Sequence, residues 1–366
     1  MAKKLFIAAT GQHVGKTTCT LGLVAALKTA GYNVGYCKPV GQKHLMLKGK
    51  MADKDTVLFE NILQFEVEPE IHSPVVIASG VTSRYIKKPE QYHFAEKIRQ
   101  AMSQLEARHD VIIFEGTGHA GVGSIIKLSN AQVASMLEAE VIMVAEGGIG
   151  SAFDRLNLNL ALFREQGVPI KGVIINKVHP DKYERVEFFL RKALKEIGVP
   201  VLGLLPYDRM LSFPLMSTVK KALKAQVVLH PRRLNMQVEE ILAGSSIEID
   251  EFTYFRHLLL IVNKSKLEET LRAIEAGARE RNITESPLSG IVLTNEGRQK
   301  QAPDLSELND PYILKHRVPV LTTSLDTYDA VVAISRIEVK INTHTPWKVN
   351  RAIELIHEHV PIQELI

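Results

Sequence analysis

The chain has 366 residues, with 45 Lys and Arg against 41 Asp and Glu and a formal net charge of +4 at pH 7. This length accommodates two domains of ordinary size, and the mixed charges lack the basic clusters of a nucleic-acid-binding surface. The apolar run over residues 5–9 is too short for a signal-peptide core or a membrane span. Both cysteines, Cys19 and Cys37, fall inside predicted elements, so we expect a cytoplasmic protein with reduced thiols. From the charge distribution and the short apolar run, we expect neither nucleic-acid nor membrane partners.

The first predicted elements are a buried strand over residues 5–9, a loop over residues 10–18, and a helix over residues 19–30. We call this loop the phosphate loop, because polyphosphate needs inward backbone N–H groups, a helix N-terminus, a lysine and a hydroxyl for Mg²⁺. Gly11, Gly15, Lys16 and Thr17 supply those groups. The predicted nucleotide-binding residues are Gly11, Gln12, His13, Val14, Gly15, Lys16, Thr17 and Thr18. The common motif has Gly where this chain has Thr10, and an ordinary turn between strand and helix is the alternative.

The following segments alternate buried strands with helices. Strands are predicted over residues 34–40, 111–114, 141–145, 172–175 and 201–205. Helices are predicted over residues 94–108, 130–137, 156–166 and 183–197. Because the strands are continuously apolar, we expect them to be buried on both faces. The pattern predicts an α/β fold with a parallel sheet, helices on both faces and ligands beyond the carboxyl ends of the strands.

Charged residues lie at the carboxyl ends of two of these strands. Glu115 comes directly after the third strand, where a carboxylate can hold Mg²⁺, and helix capping is the alternative. Lys38 lies at the carboxyl end of the second strand and would stabilise phosphate or a substrate carboxylate, unless it is a surface lysine before the turn-forming Pro39. Asp53 and Asp55 precede a predicted helix, so either is a helix cap or a second metal ligand. Position in the sequence does not choose between them.

The pattern changes after His230-Pro231-Arg232-Arg233, which predicts a second domain with a boundary near Met216. It has strands over residues 258–262, 291–294 and 318–322, helices over residues 266–281 and 328–334, and a closing helix over residues 347–359. We expect a first domain over residues 1–217 and a smaller α/β domain over residues 218–366 that includes the closing helix.

Together these motifs resemble the dethiobiotin synthetase family of P-loop proteins, which is similar to the ATPase part of the cobyrinic and cobyric acid synthases. The resemblance covers residues 1–217 and lies on Val14-Gly15-Lys16-Thr17, Lys38-Pro39-Val40, Asp55, Glu115-Gly116 and Asn176. It implies a P-loop NTPase-type sheet with ATP and Mg²⁺ as cofactors. By similarity, Lys16 and Thr17 serve ATP and Mg²⁺, and Asp55 and Glu115 serve Mg²⁺. Lys38 serves the substrate or γ-phosphate, and Asn176 serves the adenine.

The phosphate loop also departs from that family. Ala9 replaces the leading Gly, and Gly11-Gln12-His13 replaces an Asp-Thr-Glu-like stretch that faces the substrate in dethiobiotin synthetase. We therefore expect ATP binding without dethiobiotin formation, and a true dethiobiotin synthetase stays as an alternative.

The second domain resembles the DRTGG domain, which follows a dethiobiotin-synthetase-like domain in the N-terminal part of some phosphate acetyltransferases. The similarity lies on Ile291 to Gly297, Val318-Pro319-Val320 and Asp326-Thr327, while Asn263-Lys264-Ser265-Lys266 stands near the place of the naming motif. We expect an ATPase or ATP-dependent ligase that uses Lys16 and Lys38 in catalysis on a small carboxylate or carbamate-type substrate. The alternative is a nucleotide-sensing regulatory module. The resemblance also implies a homo-oligomer such as a dimer.

Overall fold

The computed structural model describes residues 2–63, 65–244, 255–295, 308–337 and 339–366. The chain divides into two compact units, one formed by Met1–Asp208 with Ile341–Ile366 and the other by Arg209–Lys340. Glu296 and Gly297 of the DRTGG-like motif lie outside the described residues.

Strands and helices alternate through most of the first unit. Its strands are β1 (Lys3–Ala9), β2 (Val34–Cys37), β3 (Val40–Gly41), β4 (His44–Leu47), β5 (Lys50–Asp53), β6 (Val75–Val76), β7 (Val111–Glu115), β8 (Glu140–Glu146), β9 (Ile170–Val178) and β10 (Val201–Pro206). Its helices are α1 (Lys16–Thr29), α2 (Lys54–Leu63), α3 (Pro69–His72), α4 (Val81–Lys87), α5 (Phe94–Glu106), α6 (Asn130–Met136), α7 (Gly150–Glu165), α8 (Tyr183–Glu196) and, numbered in chain order, α14 (Pro346–His359).

The central sheet has the strand order β10-β9-β8-β1-β7-β2, and neighbouring strands are parallel. Phe6 and Ala8 of β1 pack into a core that includes residues of α5, α6, α7 and α8. Because side chains alternate along a strand, Leu5 and Ile7 point to the opposite face, where α1 contacts β1, β2 and β7. The predicted parallel sheet with helices on both faces is therefore confirmed.

Helix α1 is buried between the sheet and the C-terminal helix. Every residue from Cys19 to Leu27 is buried, and α14 packs along α1. Gly22 makes this close approach possible, since a Cβ there would lie 2.4 Å from Ile356 Cγ1 and 2.8 Å from the carbonyl oxygen of Ala352. The sequence analysis assigned the closing helix to the second domain. The structure differs, because the apolar face of α14 is covered by α1 in the first unit.

Two local features differ from the predicted elements near the first strands. The run over residues 34–40 is divided, because Pro39 has no N–H to continue the ladder. β2 ends at Cys37, and β3 pairs instead with β6. The antiparallel hairpin β4–β5, which pairs His44 with Asp53, was not predicted. This hairpin returns Asp53 toward the end of β2, where the candidate site lies.

The second unit is a smaller α/β fold. Its elements are α9 (Arg209–Ser212), α10 (Met216–Ala222), β11 (Gln226–Leu229), β12 (Glu240–Ala243), β13 (Leu258–Asn263), α11 (Leu267–Glu280), β14 (Leu288–Thr294), α12 (Pro311–His316), β15 (Val320–Thr322) and α13 (Thr327–Ser335). The sheet order is β11-β15-β14-β13-β12, and only the β11–β15 pair in it is antiparallel. The predicted strands β13, β14 and β15 are confirmed. Across the ranges given above, no helix has both the length and the apolar character needed to cross a bilayer.

We expect Gly22→Ala to destabilise the first unit by about 1–3 kcal/mol, because the added methyl group would push α14 away from α1. The matched control is Gly150→Ala in α7, where a Cβ meets no atom within 4 Å. Urea unfolding of both variants measures the difference. Equal midpoints for the two variants would contradict the close α1–α14 packing.

Candidate functional site

The phosphate loop connects β1 to the N-terminus of α1. Gly15 directly precedes α1 and has a φ of +102°, a conformation that favours glycine. Within the described ranges, no hydrogen bond uses the backbone N–H of Lys16, Thr17 or Thr18. These N–H groups and the positive end of the helix dipole therefore form an anion-binding position.

Residues at the end of β9 support the phosphate loop from one side. Asn176 Nδ2 donates to the carbonyl oxygen of Val14 at 2.8 Å, and a Cβ on Gly15 would lie only 2.0 Å from the same Nδ2. Lys177 Nζ donates to the carbonyl oxygen of His13 at 2.6 Å and contacts Glu146 Oε1 at 2.8 Å. The structure thus places Asn176 against the phosphate loop, and its role toward adenine stays a prediction.

The remaining loop residues differ in exposure. The side chains of Gln12 and His13 are exposed, Gly11 and Thr18 are half-buried, and Val14 is buried. Gln12 and His13 are therefore solvent-exposed residues of the phosphate loop.

Glu115 is the buried centre of the site. Its side chain has no exposed surface. Oε1 accepts a hydrogen bond from Thr17 Oγ1 at 2.8 Å and lies 3.6 Å from Lys16 Nζ, while Oε2 accepts one from Tyr36 OH at 3.1 Å. Burial raises the pKa of Glu115, and the charges of Lys38 and Lys16 act against that shift. Burial likewise lowers the pKa of Lys16, with Glu115 opposing the change.

Lys38 lies beside Glu115 because of the sheet register. Cys37 on β2 pairs with Phe114 on β7. The residues that follow them, Lys38 and Glu115, therefore lie side by side at the carboxyl edge of the sheet. Lys38 is 5% exposed, so the surface-lysine alternative is wrong. Burial alone would lower the pKa of Lys38, but the carboxylates of Asp55, Glu115 and Asp53 raise it, and the ammonium group stays charged.

Asp53 and Asp55 both contact Lys38 but have different surroundings. Asp53 is 1% exposed. Its Oδ1 accepts from the backbone N–H of Asp55 at 2.9 Å and lies 3.1 Å from Lys38 Nζ, and its Oδ2 accepts from the N–H of Gln42 at 3.1 Å. The Asp55 side chain also pairs with Lys38 and is 28% exposed. Asp53 is therefore held by the protein itself, whereas Asp55 is the carboxylate that an incoming ion can reach.

The structure brings Lys16, Thr17, Lys38, Asp55 and Glu115 together. In the part of the chain that the structure describes, no group of three His, Cys, Asp or Glu side chains could hold a metal ion. Mg²⁺ is commonly held in proteins by one or two carboxylates together with phosphate oxygens and water. Thr17 and Glu115 provide a hydroxyl and a carboxylate at the correct end of the phosphate loop for such an ion.

Tyr36 is the residue of this site that the sequence analysis missed. It is 2% exposed, and burial together with the Glu115 charge raises the pKa of its hydroxyl well above the ordinary value, so the group remains a donor. The spacing in the sequence could have identified Tyr36 as a site residue. It precedes Lys38 by two residues on an extended segment, so the two side chains share one face. Cys37, on the other face, is a buried free thiol whose pKa is raised by burial.

Comparisons with known proteins agree with this geometry. Residues 3–214 match the family model AAA_26, described as an AAA domain. The phosphate acetyltransferase of Nitrosomonas europaea is 24% identical over 371 residues, which cover 99% of this chain and 51% of the relative. A probable cobyric acid synthase of Methanocaldococcus jannaschii is 28% identical over 58% of this chain and 47% of the relative. An ATP-dependent dethiobiotin synthetase of Clostridium kluyveri is 29% identical over 50% of this chain and 78% of the relative.

This chain spans about half the length of the first two of these relatives. The family match over residues 3–214 includes the phosphate loop, Lys38, Asp55, Glu115 and Asn176. The chain therefore belongs to this AAA domain family, and its first unit contains a P-loop domain.

Proposed function

We propose that the first unit binds Mg²⁺ and ATP and works as an ATPase or as an ATP-dependent ligase for a small carboxylate or carbamate-type substrate. The observation that carries the proposal is the contact of the buried Glu115 carboxylate with the Thr17 hydroxyl at 2.8 Å. This pair lies at the start of α1, where the N–H groups of the first turn are available to an anion. A phosphate group and a divalent ion at this place would satisfy both features.

The proposed assignment gives each charged residue one task. The backbone of the phosphate loop binds the phosphates, and Lys16 contacts the outer ones. Thr17, Asp55 and Glu115 hold the ion, which when bound would neutralise phosphate charge during phosphoryl transfer. Lys38 stabilises the γ-phosphate or the substrate carboxylate. In this assignment Asp53 is structural, because two backbone N–H groups and Lys38 already contact its carboxylate.

Asn176 has two tasks in the proposal. Its amide supports the phosphate loop through Val14, and the family resemblance adds a contact with adenine. The remaining nucleotide contacts come from other residues of the same loop, namely Gly11, Gln12, His13 and Thr18.

A regulatory function is the second candidate. The alignment with the Nitrosomonas europaea phosphate acetyltransferase covers 99% of this chain, so it includes both units. A nucleotide-sensing module, with the second unit as a DRTGG-like domain, would explain that extent. The alignment with the dethiobiotin synthetase covers only 50% of this chain, and Gly11-Gln12-His13 departs from that family, so we propose that dethiobiotin is not the product.

The proposal includes a cytoplasmic homo-oligomer such as a dimer. Cys19 and Cys37 are free and buried, which suits a reducing compartment. The assembly rests on the family resemblance, and light scattering with and without Mg²⁺ and ATP measures it.

The function is tested by ATP hydrolysis with Mg²⁺ across a panel of small carboxylates, diamines with bicarbonate, and acyl phosphates, with Lys16→Ala as the blank. An enzyme should show hydrolysis that one class of substrate stimulates. Nucleotide binding without any stimulation would favour the sensor instead. Dethiobiotin formed from diaminopelargonate, bicarbonate and ATP would overturn the exclusion of that activity.

Lys16→Ala should weaken ATP binding or transition-state stabilisation by about 2–4 kcal/mol, because it removes the cation that contacts the outer phosphates. Calorimetric titration with ATP and steady-state turnover measure this loss, and circular dichroism confirms folding. The matched control is Lys28→Ala, in the last turn of the same helix. A folded Lys16→Ala protein with parental affinity and turnover would remove the site assignment.

Glu115→Gln should raise the Mg²⁺ concentration needed for nucleotide binding, because the side chain keeps its size but loses its charge. Nucleotide affinity measured without metal should change less. Titrations with Mg²⁺ and in the presence of a chelator separate these effects. The same Mg²⁺ requirement in variant and parent would return Glu115 to a capping role.

A further inference from the structure

The two oxygens of Glu115 face different partners. Oε1 lies toward the phosphate loop, where it accepts from Thr17 Oγ1 at 2.8 Å and lies 3.6 Å from Lys16 Nζ. Oε2 lies toward the interior and accepts from Tyr36 OH at 3.1 Å. A carboxylate with a hydrogen-bond donor on each oxygen is restrained to one orientation. The Tyr36 hydroxyl therefore contributes to the orientation in which the Glu115 carboxylate faces the phosphate loop.

The tyrosine ring is itself held in place. Its centroid lies 3.9 Å from that of Phe59, with 9° between the ring planes, and Phe59 is fully buried. Phe59 belongs to α2, which has Asp55 in its first turn. Tyr36 thus joins β2, the helix that carries Asp55, and the end of β7 that carries Glu115.

We propose that Tyr36 is a positioning residue for Glu115: its hydroxyl orients the carboxylate toward the divalent ion, and its ring sets the place of the Asp55-bearing helix. The inference rests on the proposed function and deepens it. Partners that orient a ligating carboxylate are part of a metal site, and their loss commonly weakens metal binding about tenfold or more. A tyrosine with only a packing role would not have this effect when its hydroxyl alone is removed.

The test uses Tyr36→Phe, which keeps the ring and its stacking on Phe59. Mn²⁺ replaces Mg²⁺, and ADP replaces ATP so that no turnover occurs. Electron paramagnetic resonance measures the Mn²⁺ concentration at half-saturation of the ADP complex, and a second titration in chelator measures ADP alone. We expect about a tenfold rise in the Mn²⁺ half-saturation and less than about a twofold change for ADP alone.

Tyr183→Phe is the matched control, because Tyr183 OH donates to the carbonyl oxygen of Leu204 at 2.9 Å on the α8 side of the sheet. This variant loses a hydroxyl hydrogen bond elsewhere in the same unit and should keep the parental Mn²⁺ half-saturation. Glu115→Gln combined with Tyr36→Phe should bind Mn²⁺ no more weakly than Glu115→Gln alone, since Tyr36 acts through Glu115.

Three results would overturn the inference: an unchanged Mn²⁺ half-saturation in Tyr36→Phe, an equal rise in Tyr183→Phe, or additive losses in the double variant. Failure of the proposed function has a different signature. In that case the parental protein itself would show no dependence of ADP binding on Mn²⁺.

Discussion

The site depends on one carboxylate, Glu115, which is buried in the interior of the first unit. A buried carboxylate is costly unless cations and hydrogen-bond donors surround it. Here Lys16 and Lys38 supply the cations, and the hydroxyls of Thr17 and Tyr36 supply the donors. Together with Asp53 and Asp55, Glu115 makes three carboxylates that face the two ammonium groups of Lys16 and Lys38.

The parallel sheet brings these groups together. Ile7 near the end of β1 pairs with Glu115 at the end of β7, and Cys37 at the end of β2 pairs with Phe114. The phosphate loop, Glu115 and Lys38 therefore start from one edge at neighbouring positions. The β4–β5 hairpin then returns Asp53 to this edge, where a Cβ on Gly41 would lie 2.5 Å from its Oδ2.

Much of the site could be predicted from the sequence because it depends on local order. A buried strand followed by a loop with Gly15, Lys16 and Thr17 predicts a phosphate position, and Glu115 after a buried strand predicts the neighbouring acid. The choice between Asp53 and Asp55 could not be made, because it depends on the hairpin that positions the N–H of Gln42. The alternation that would reveal this hairpin is short and partly polar.

Contacts between distant segments were also beyond local patterns. The closing helix has an apolar stripe, but the stripe does not specify that α14 packs on Gly22 of α1. In the sequence Tyr36 has the pattern of an ordinary strand residue. The β2–β7 pairing brings its hydroxyl to Glu115. Asn176 was placed by resemblance, whereas its hydrogen bond to Val14 depends on the loop conformation set by Gly15.

A crystal structure of the protein with Mg²⁺ and a non-hydrolysable ATP analogue tests the central claim most directly. We expect the phosphates to bind against the N–H groups of Lys16 and Thr17. We also expect the ion beside the Thr17 hydroxyl, on the side of the phosphate loop that Glu115 Oε1 faces. Phosphates bound elsewhere on the protein, or an ion held without Thr17, Asp55 or Glu115, would contradict it.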